Sequence, residues 1–299
     1  MTSEAKGSLR IGFCGLGKMG LPMTHRLLEA GKQVAVWNRS AEKGKALEEA
    51  APTLCKAYET PAGVSAHADV LLFCLADRSA IEATVFGPDG LASGVQGSRP
   101  IVVDHSTITP AQTREFAKRW NAETGGKWID APVSGGTAGA AAGTLAIMAG
   151  GSSEAVGDVS DILALYAANI TRMGEVGAGQ ATKLANQTIV MTTIAAIAEA
   201  TVLAQNSGVE AGRLPAALAG GWADSVLLQT LQPRMIAPPA KPTGSIRTML
   251  KDMDAVEALA AESGVQLPVA KRVRDWLAKA VEHGLGELDI SQIVTVRRH

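Results

Sequence analysis

The stretch Ile11 to Gly20, reading IGFCGLGKMG, decides the fold. A short apolar run from Leu9 to Cys14 leads into Gly15-Leu16-Gly17-Lys18-Met19-Gly20, the G-x-G-x-x-G spacing of a turn between a strand and a helix. Each glycine answers a different demand: Gly15 permits the tight turn, Gly17 lets backbone approach a pyrophosphate, and Gly20 lets the helix lie close to the sheet. The first amides of the helix, with the positive end of its dipole behind them, then face the phosphates. A glycine-rich turn with no ligand has the same composition, but the setting between a strand and a helix points to a dinucleotide.

Outward from this turn, strand and helix alternate. Met19 to Ala30 reads as a helix ended by Gly31, and Gln33 to Trp37 as a second strand. Asp69 to Leu75, Pro100 to Asp104, Lys127 to Val133 and Thr144 to Ala149 read as further strands, with Ile170 to Met173 at an edge. Between them Arg78 to Phe86, Pro110 to Glu123 (with Thr109 as N-cap) and Ser152 to Ala167 read as helices. The strands are near-continuous apolar runs, as in a parallel sheet buried on both faces. Ligands of such sheets sit at the carboxyl ends of the strands, so the glycine turn, Leu75-Ala76-Asp77 and His105-Ser106-Thr107 are expected to converge on the cofactor.

At the end of the second strand stands Asn38-Arg39-Ser40, where an NAD-specific unit carries a carboxylate for the ribose 2′-hydroxyl. Arg39 instead offers a planar donor fork suited to a 2′-phosphate. Ser40 can add a hydroxyl donor or cap the helix that starts near Ala41. The expectation is a preference for NADP(H), with NAD(H) possible if Arg39 is only a surface residue.

From about Gly177 the strand patterns stop. Gln180 to Ser207 reads as one long helix capped by Gly208, followed by helical runs over Gly244 to Ser263, Pro268 to His283 and Asp289 to Val296, broken at Gly220-Gly221 and Ala237 to Pro242. The fold class is therefore α/β: an N-terminal Rossmann-type doubly wound sheet over residues 1–176, then an all-α C-terminal domain over residues 177–299, joined by a long interdomain helix. A chain of 299 residues accommodates about two domains.

Composition excludes several classes. Lys and Arg number 28 against 29 Asp and Glu, so nothing recommends a nucleic acid or a membrane surface as partner. The terminal Arg297-Arg298-His299 reads as a solvated tail. Cys14, Cys55 and Cys74 lack metal-ligand spacing and read as reduced, buried thiols, and residues 1–8 lack the apolar region of a signal peptide; both point to the cytoplasm. Thr188 to Ala204 is almost wholly apolar, but it is marginal in length for a membrane span and contains Glu199, so a buried helix is expected.

Two stretches carry candidate chemistry. Lys183 lies in the most apolar helix of the chain, with Asn186 and Gln187 three and four residues on, on the same face. A buried lysine can give a proton to a developing alkoxide or take one from an alcohol. A lysine at a helix start can also snorkel to water. Asp130 to Gly136, DAPVSGG, leaves a strand and presents Ser134 with the amides of Gly135 and Gly136, either a carboxylate nest or a flexible loop. Lys251-Asp252, read alone, is an ordinary exposed pair. His105 adjoins the expected cofactor edge but ranks below Lys183 as an acid–base group. No Ser-His-Asp arrangement and no metal cluster is visible, which leaves a hydrolase or metalloenzyme without support.

Together these motifs resemble the β-hydroxyacid dehydrogenase family (the 3-hydroxyisobutyrate dehydrogenase-like enzymes). The matching stretches are Gly15 to Met23, Asp130 to Gly136, Gly177 to Gln187 (GAGQATKLANQ) and Lys251-Asp252, in the family's order and spacing. The resemblance implies hydride transfer between a nicotinamide cofactor and a small β-hydroxy acid or its semialdehyde. It implies that Lys183 is the general acid or base, that Ser134, Gly135 and Gly136 hold the substrate carboxylate, and that Asn186 positions Lys183 and the substrate. Thr107 and Lys251 match positions at the nicotinamide end, and Gln187 stands where other members carry a second Asn. KLANQ with GTLAIMAGG (Gly143 to Gly151) is most similar to the tartronate semialdehyde (2-hydroxy-3-oxopropionate) reductases, with glyoxylate and succinic semialdehyde reductases close and 3-hydroxyisobutyrate dehydrogenases less so. Imine reductases share the fold but usually carry another residue at the Lys183 position, and non-catalytic NADP(H)-binding relatives typically lose the lysine. The resemblance also implies a homodimer or homotetramer, and pocket size is expected to depend on side chains such as Trp222 and Ser225.

Overall fold

The computed structural model describes residues 9–97 and 99–297; the readings of residues 1–8 and of Arg298-His299 fall outside the described residues. The chain divides into two compact units, Met1–Lys183 and Leu184–His299.

The first unit begins β1 (Ile11–Cys14), α1 (Gly20–Glu29), β2 (Val34–Trp37), α2 (Ala41–Ala50), β3 (Cys55–Ala57), α3 (Pro61–Ser65), β4 (Val70–Phe73), α4 (Arg78–Phe86), β5 (Ile101–Asp104), α5 (Pro110–Thr124) and β6 (Lys127–Asp130). It continues with β7 (Val133–Ser134), α6 (Gly136–Ala142), β8 (Leu145–Gly150), α7 (Ser153–Leu163), β9 (Ala167–Gly174) and the start of α8 (Ala178–Asn206). The sheet order is β3-β2-β1-β4-β5-β6-β8-β7, with β9 on β8. The six strands β3 to β6 in this order are all parallel, whereas β8 runs antiparallel to β6 and β7.

Successive residues of these strands enter different cores. Ile11, Phe13, Val70, Leu72, Val103 and Ile129 belong to one buried cluster, and Cys14, Leu71, Phe73, Val102 and Trp128 to the other. Side chains alternate across a strand, so a sheet covered on both faces needs apolar residues at every position. Each fully buried Leu or Phe contributes about 1.5–3 kcal/mol relative to exposure.

Three expectations need correction. The strand expected over Lys127 to Val133 is broken after Asp130; Ala131-Pro132 separates β6 from β7, since proline cannot donate to a ladder. The helix expected to reach Ala167 stops at Leu163, because Ala167 opens β9, and β9 is twice as long as the edge strand expected. The strand β3 has no apolar run to mark it in the sequence, being only three residues long and half-exposed. Thr109 does cap α5: its hydroxyl accepts from Gln112 N–H at 3.2 Å while Gln112 accepts from the Thr109 amide. Cys14 and Cys55 are buried, Cys74 only partly, and none forms a disulfide.

The second unit contains the rest of α8, then α9 (Leu214–Leu218), α10 (Val226–Ile236), α11 (Ile246–Glu262), α12 (Pro268–Glu282) and a 3-10 segment, Ile290–Arg297. Its core includes Leu184, Met191, Ile194, Met253, Leu277 and Ile293. The units part inside α8 rather than ahead of it, because the first turns of α8 are hydrogen-bonded to Asp130, Ser106 and Val133 of the sheet unit.

His105, just past β5, is buried between the Ala131 carbonyl (2.7 Å from Nδ1) and the Tyr166 hydroxyl (2.9 Å from Nε2). A carbonyl only accepts, so Nδ1 carries the proton and Nε2 accepts from Tyr166. Burial pushes His105 down to about 4. As pH falls from about 6.5 to about 4, the unfolded chain takes up a proton that the folded chain refuses, so this site costs up to about 3 kcal/mol of stability in acid. Asp130 acts oppositely: burial lifts it to about 6, so below that pH the folded chain is protonated first. A difference measurement isolates the histidine. In denaturant titrations from neutral pH down to about 4, His105→Gln should lose less stability with acid than the wild type, by up to about 3 kcal/mol. Parallel acid profiles would remove the buried-imidazole account.

Candidate active site

The carboxyl ends of β2, β1, β4 and β5 lie side by side, and each delivers one expected segment. After β1, Gly15 has φ +95°, and a Cβ there would come 2.6 Å from the Cys74 carbonyl oxygen. A Cβ on Gly20 would lie 1.9 Å from the Gly15 carbonyl oxygen, so α1 can leave the turn this closely only through glycine. A Cβ on Gly17 would meet nothing within 4 Å. The protein itself demands Gly15 and Gly20; Gly17 borders open space, where a ligand approaching the backbone would be the group that needs the side chain missing. The turn thus fits a dinucleotide. Lys18 is exposed and Met19 half-buried beside it.

The residues flanking this turn divide differently from expectation. The Leu16 side chain is fully buried, and its amide donates to Asn38 Oδ1 at 2.8 Å. Asn38 Nδ2 donates to the Ser40 carbonyl at 3.0 Å. Leu16 and Asn38, expected as cofactor contacts, are therefore committed to each other and shape the turn. Arg39 and Ser40 are exposed at the end of β2, and Ser40 makes no side-chain capping hydrogen bond to α2. One turn on, Lys43 donates to the Leu16 carbonyl at 3.2 Å; this second cation near Arg39 in the chain was not singled out in the sequence, where it reads as one of two lysines on α2.

Past β4, the half-buried Leu75 donates its amide to Ser106 Oγ at 2.9 Å, Ala76 is exposed, and Asp77 caps α4 through Ala80 N–H. Past β5, Ser106 N–H donates to Asp104 Oδ1 at 2.8 Å, and Thr107 is half-buried. His105 is neutral and enclosed, a structural residue rather than an acid–base group.

The helix α8 brings the second set of candidates. Asp130, at the end of β6, is buried and accepts from Gly177 N–H at 2.7 Å and Gln180 N–H at 2.8 Å, so a carboxylate sits at the head of the helix. Burial raises Asp130 to about 6 against the lowering by these backbone donors. Lys183, 9 % exposed, donates from Nζ to the Val133 carbonyl at 2.8 Å. The lysine does not snorkel to water; its ammonium reaches the residue before Ser134. Gly135 (φ +124°) and Gly136 (φ +63°) follow in left-handed backbone, and both are exposed. Ser134 is half-buried beside them. One loop and one helix thus unite Lys183 with Ser134, Gly135 and Gly136.

The remaining expected residues lie in the second unit. Gln187 is buried; its Oε1 accepts from Asn186 Nδ2 at 3.0 Å and its Nε2 donates to Asp252 Oδ2 at 2.6 Å. Expected at the substrate, Gln187 has its amide committed between Asn186 and Asp252 and so orients Asn186. Lys251 Nζ is 3.1 Å from Asp252 Oδ1; with Asp252 buried, this is not the exposed surface pair its sequence suggested. Trp222 is exposed, and Ser225 caps α10 by accepting from Leu228 N–H. Among the described residues, no cluster of three His, Cys, Asp or Glu could hold a metal ion.

The chain matches two family models: the NAD binding domain of 6-phosphogluconate dehydrogenase over residues 10–174, and the family described as NAD-binding of NADP-dependent 3-hydroxyisobutyrate dehydrogenase over residues 177–297. It is 34 % identical to the 2-hydroxy-3-oxopropionate reductase of Escherichia coli (strain K12) over 286 residues, covering 96 % of each chain. Its fold matches the crystal structure of 3-hydroxyisobutyrate dehydrogenase from Salmonella typhimurium with a TM-score of 0.87 at 26 % identity, covering 97 % of this chain and all of that one. It also matches Psf3, solved in complex with NADP+ and 2-OPP, with a TM-score of 0.86 at 26 % identity over 96 % of this chain and 99 % of that one. The dinucleotide turn of the sheet unit, the buried lysine beside a glycine-containing loop and these matches agree: the chain belongs to the β-hydroxyacid dehydrogenase family, NAD(P)-dependent oxidoreductases acting on CH–OH groups.

Proposed function

We propose that this enzyme reduces a small semialdehyde bearing a carboxylate, of the tartronate semialdehyde (2-hydroxy-3-oxopropionate) or glyoxylate kind, with NADPH as preferred cofactor and Lys183 as general acid. The observation that carries this reading is the hydrogen bond from the buried Lys183 Nζ to the Val133 carbonyl, which puts a proton donor one residue from the Ser134-Gly135-Gly136 loop. The similarity to a 2-hydroxy-3-oxopropionate reductase supports the substrate class; 3-hydroxyisobutyrate and succinic semialdehyde remain the alternatives for a substrate panel.

When bound, the nicotinamide supplies or accepts the hydride. The chain's own residues do the rest. The Ser134 hydroxyl and the Gly135 and Gly136 amides hold the substrate carboxylate. That anchoring presents the carbonyl in a reactive orientation. The Lys183 ammonium stabilises the negative charge growing on the carbonyl oxygen and delivers a proton to it; in the oxidative direction the same nitrogen receives the proton. Asn186, held by Gln187, orients the substrate and the lysine. A bound cofactor would have its pyrophosphate cradled by Gly15 to Gly20, its nicotinamide half lined by Leu75, Ala76 and Thr107, and its 2′-phosphate received by Arg39, Ser40 and Lys43; the family resemblance adds Lys251 as a cofactor ligand.

Long apolar side chains left exposed on α8, Ile189 at 67 % and Leu203 at 69 %, support a homo-oligomer built on this helix. By length and composition alone α8 could also cross a membrane. Lys183 and Gln187, polar residues of this helix bonded to Val133 and Asp252, fit a helix packed in protein rather than in lipid. Three cysteines outside any disulfide support a reducing, cytoplasmic setting.

Lys183→Ala should lower kcat by about 10²- to 10⁴-fold with cofactor affinity nearly intact, measured with tartronate semialdehyde and glyoxylate; near-normal turnover would defeat the assigned role. Arg39→Ala should weaken NADPH by about 10- to 100-fold and NADH little, read by fluorescence titration; equal losses would remove the phosphate reading. Light scattering of the protein without detergent should give a dimer or tetramer that the double variant Ile189→Lys, Leu203→Lys dissociates, and a monomeric wild type would refute the assembly.

A further inference from the structure

Gln180 stands three residues before Lys183 on α8, and it is fully buried. Its Nε2 donates to the Ser106 carbonyl at 2.8 Å, and its Oε1 accepts from Ile108 N–H at 3.3 Å. The two ends of one carboxamide therefore grip the peptide groups on either side of Thr107. Ser106 and Ile108 are themselves buried, so water cannot easily replace these bonds. The Gln180 amide donates to Asp130 Oδ2 at 2.8 Å, and Ser106 Oγ accepts from Leu75 N–H at 2.9 Å. A continuous chain of hydrogen bonds thus runs from the end of β4, through the loop after β5, into the first turn of α8 and on to the end of β6. Thr107 is inside that chain, and Lys183 is one helical turn beyond it.

We propose that Gln180 is a positioning residue for hydride transfer, holding the Thr107 edge of the nicotinamide seat in register with the helix that carries Lys183. The proposal rests on the roles given above to Thr107 and Lys183. A carboxamide suits the task for a chemical reason: Ser106 O needs a donor, Ile108 N–H needs an acceptor, and a glutamine offers both on one planar group. A glutamate offers only acceptors while ionised and repels the Ser106 carbonyl; once protonated, it offers a donor and an acceptor again. Displacements of about 1 Å at a site of this kind cost about 100-fold in rate.

Two variants test this. Gln180→Met keeps the volume without the polar ends, and Gln180→Glu makes the bond to Ser106 depend on a proton. Both should lower kcat by about 10- to 100-fold at neutral pH. For Gln180→Glu, the ratio of variant to wild-type kcat should rise as pH falls, and for Gln180→Met it should stay flat. The ratio is the right quantity because the charged and titratable groups near this network are common to both enzymes: Asp130 at the Gln180 amide, Asp104 at the Ser106 amide, His105 beside it, Lys183 one turn on and, near Gly177, Arg114. Both variants should bind NADPH more weakly than wild type while binding ADP-ribose 2′-phosphate, which has no nicotinamide, equally well. Wild-type kcat in Gln180→Met, a flat ratio in Gln180→Glu, or equal weakening of NADPH and the nicotinamide-free fragment would each overturn the proposal. If Gln180→Met does not fold, the Gln180→Glu profile and its two binding constants carry the test. If Lys183→Ala turns over like wild type, the functional reading fails, and Gln180 is still judged by the difference between NADPH and the fragment.

Discussion

The arrangement depends on the buried carboxylate of Asp130 at the head of α8. A long helix starts with amides that have no partner inside it, and Asp130 accepts two of them, at Gly177 and Gln180. Burial works against the charge and raises Asp130 to about 6; the helix amides and dipole work for it. The bond does more than end a helix. Asp130 closes β6 and opens the loop to Ser134, so one side chain registers the end of the sheet, the Ser134-Gly135-Gly136 loop and the start of the helix together. With that register set, Lys183 reaches the Val133 carbonyl and Gln180 reaches the loop around Thr107.

A site assembled this way holds a lysine whose burial is compensated. An ammonium removed from water is costly without a partner, and the Val133 carbonyl is one. The same bond leaves the nitrogen beside the loop that would carry a substrate carboxylate. In the second unit, Gln187 and Asp252 do comparable work for Asn186: a buried amide and a buried carboxylate fix a residue that is itself more exposed.

Much of the fold was legible because it is periodic. Strands buried on both faces must be apolar at every position, and Val70–Phe73 and Ile101–Asp104 read that way. The spacing of Gly15, Gly17 and Gly20 follows from local sterics, two of the three colliding with neighbouring backbone if they gained a Cβ. The break at Ala131-Pro132 and the conversion of Ala167 from helix to strand were less legible, since both depend on how β8 pairs with β7 and β9. At the site, Lys183 and the Ser134 loop stood out as polar residues in apolar or glycine-rich settings. Asp130 and Gln180 figured there only as members of the DAPVSGG and GAGQATKLANQ stretches, with no role of their own, and Lys43 not at all, because a polar residue at a strand end or on the first turns of a helix is ordinary.

What the sequence determined by itself was local in the chain: a dinucleotide turn, an alternation of strand and helix, an Arg39 where a carboxylate would suit NAD, and a lysine set in an apolar helix. What only the tertiary structure decided was which groups meet. Lys183 meets Val133 across 50 residues and Gln180 meets Ser106 across 74, and Leu16 and Asn38 turn out to hold each other. The physical reason is the nature of the partners. These side chains bind backbone carbonyls and amides, which nearly every residue possesses, so no residue type in the sequence marks where the bond will fall.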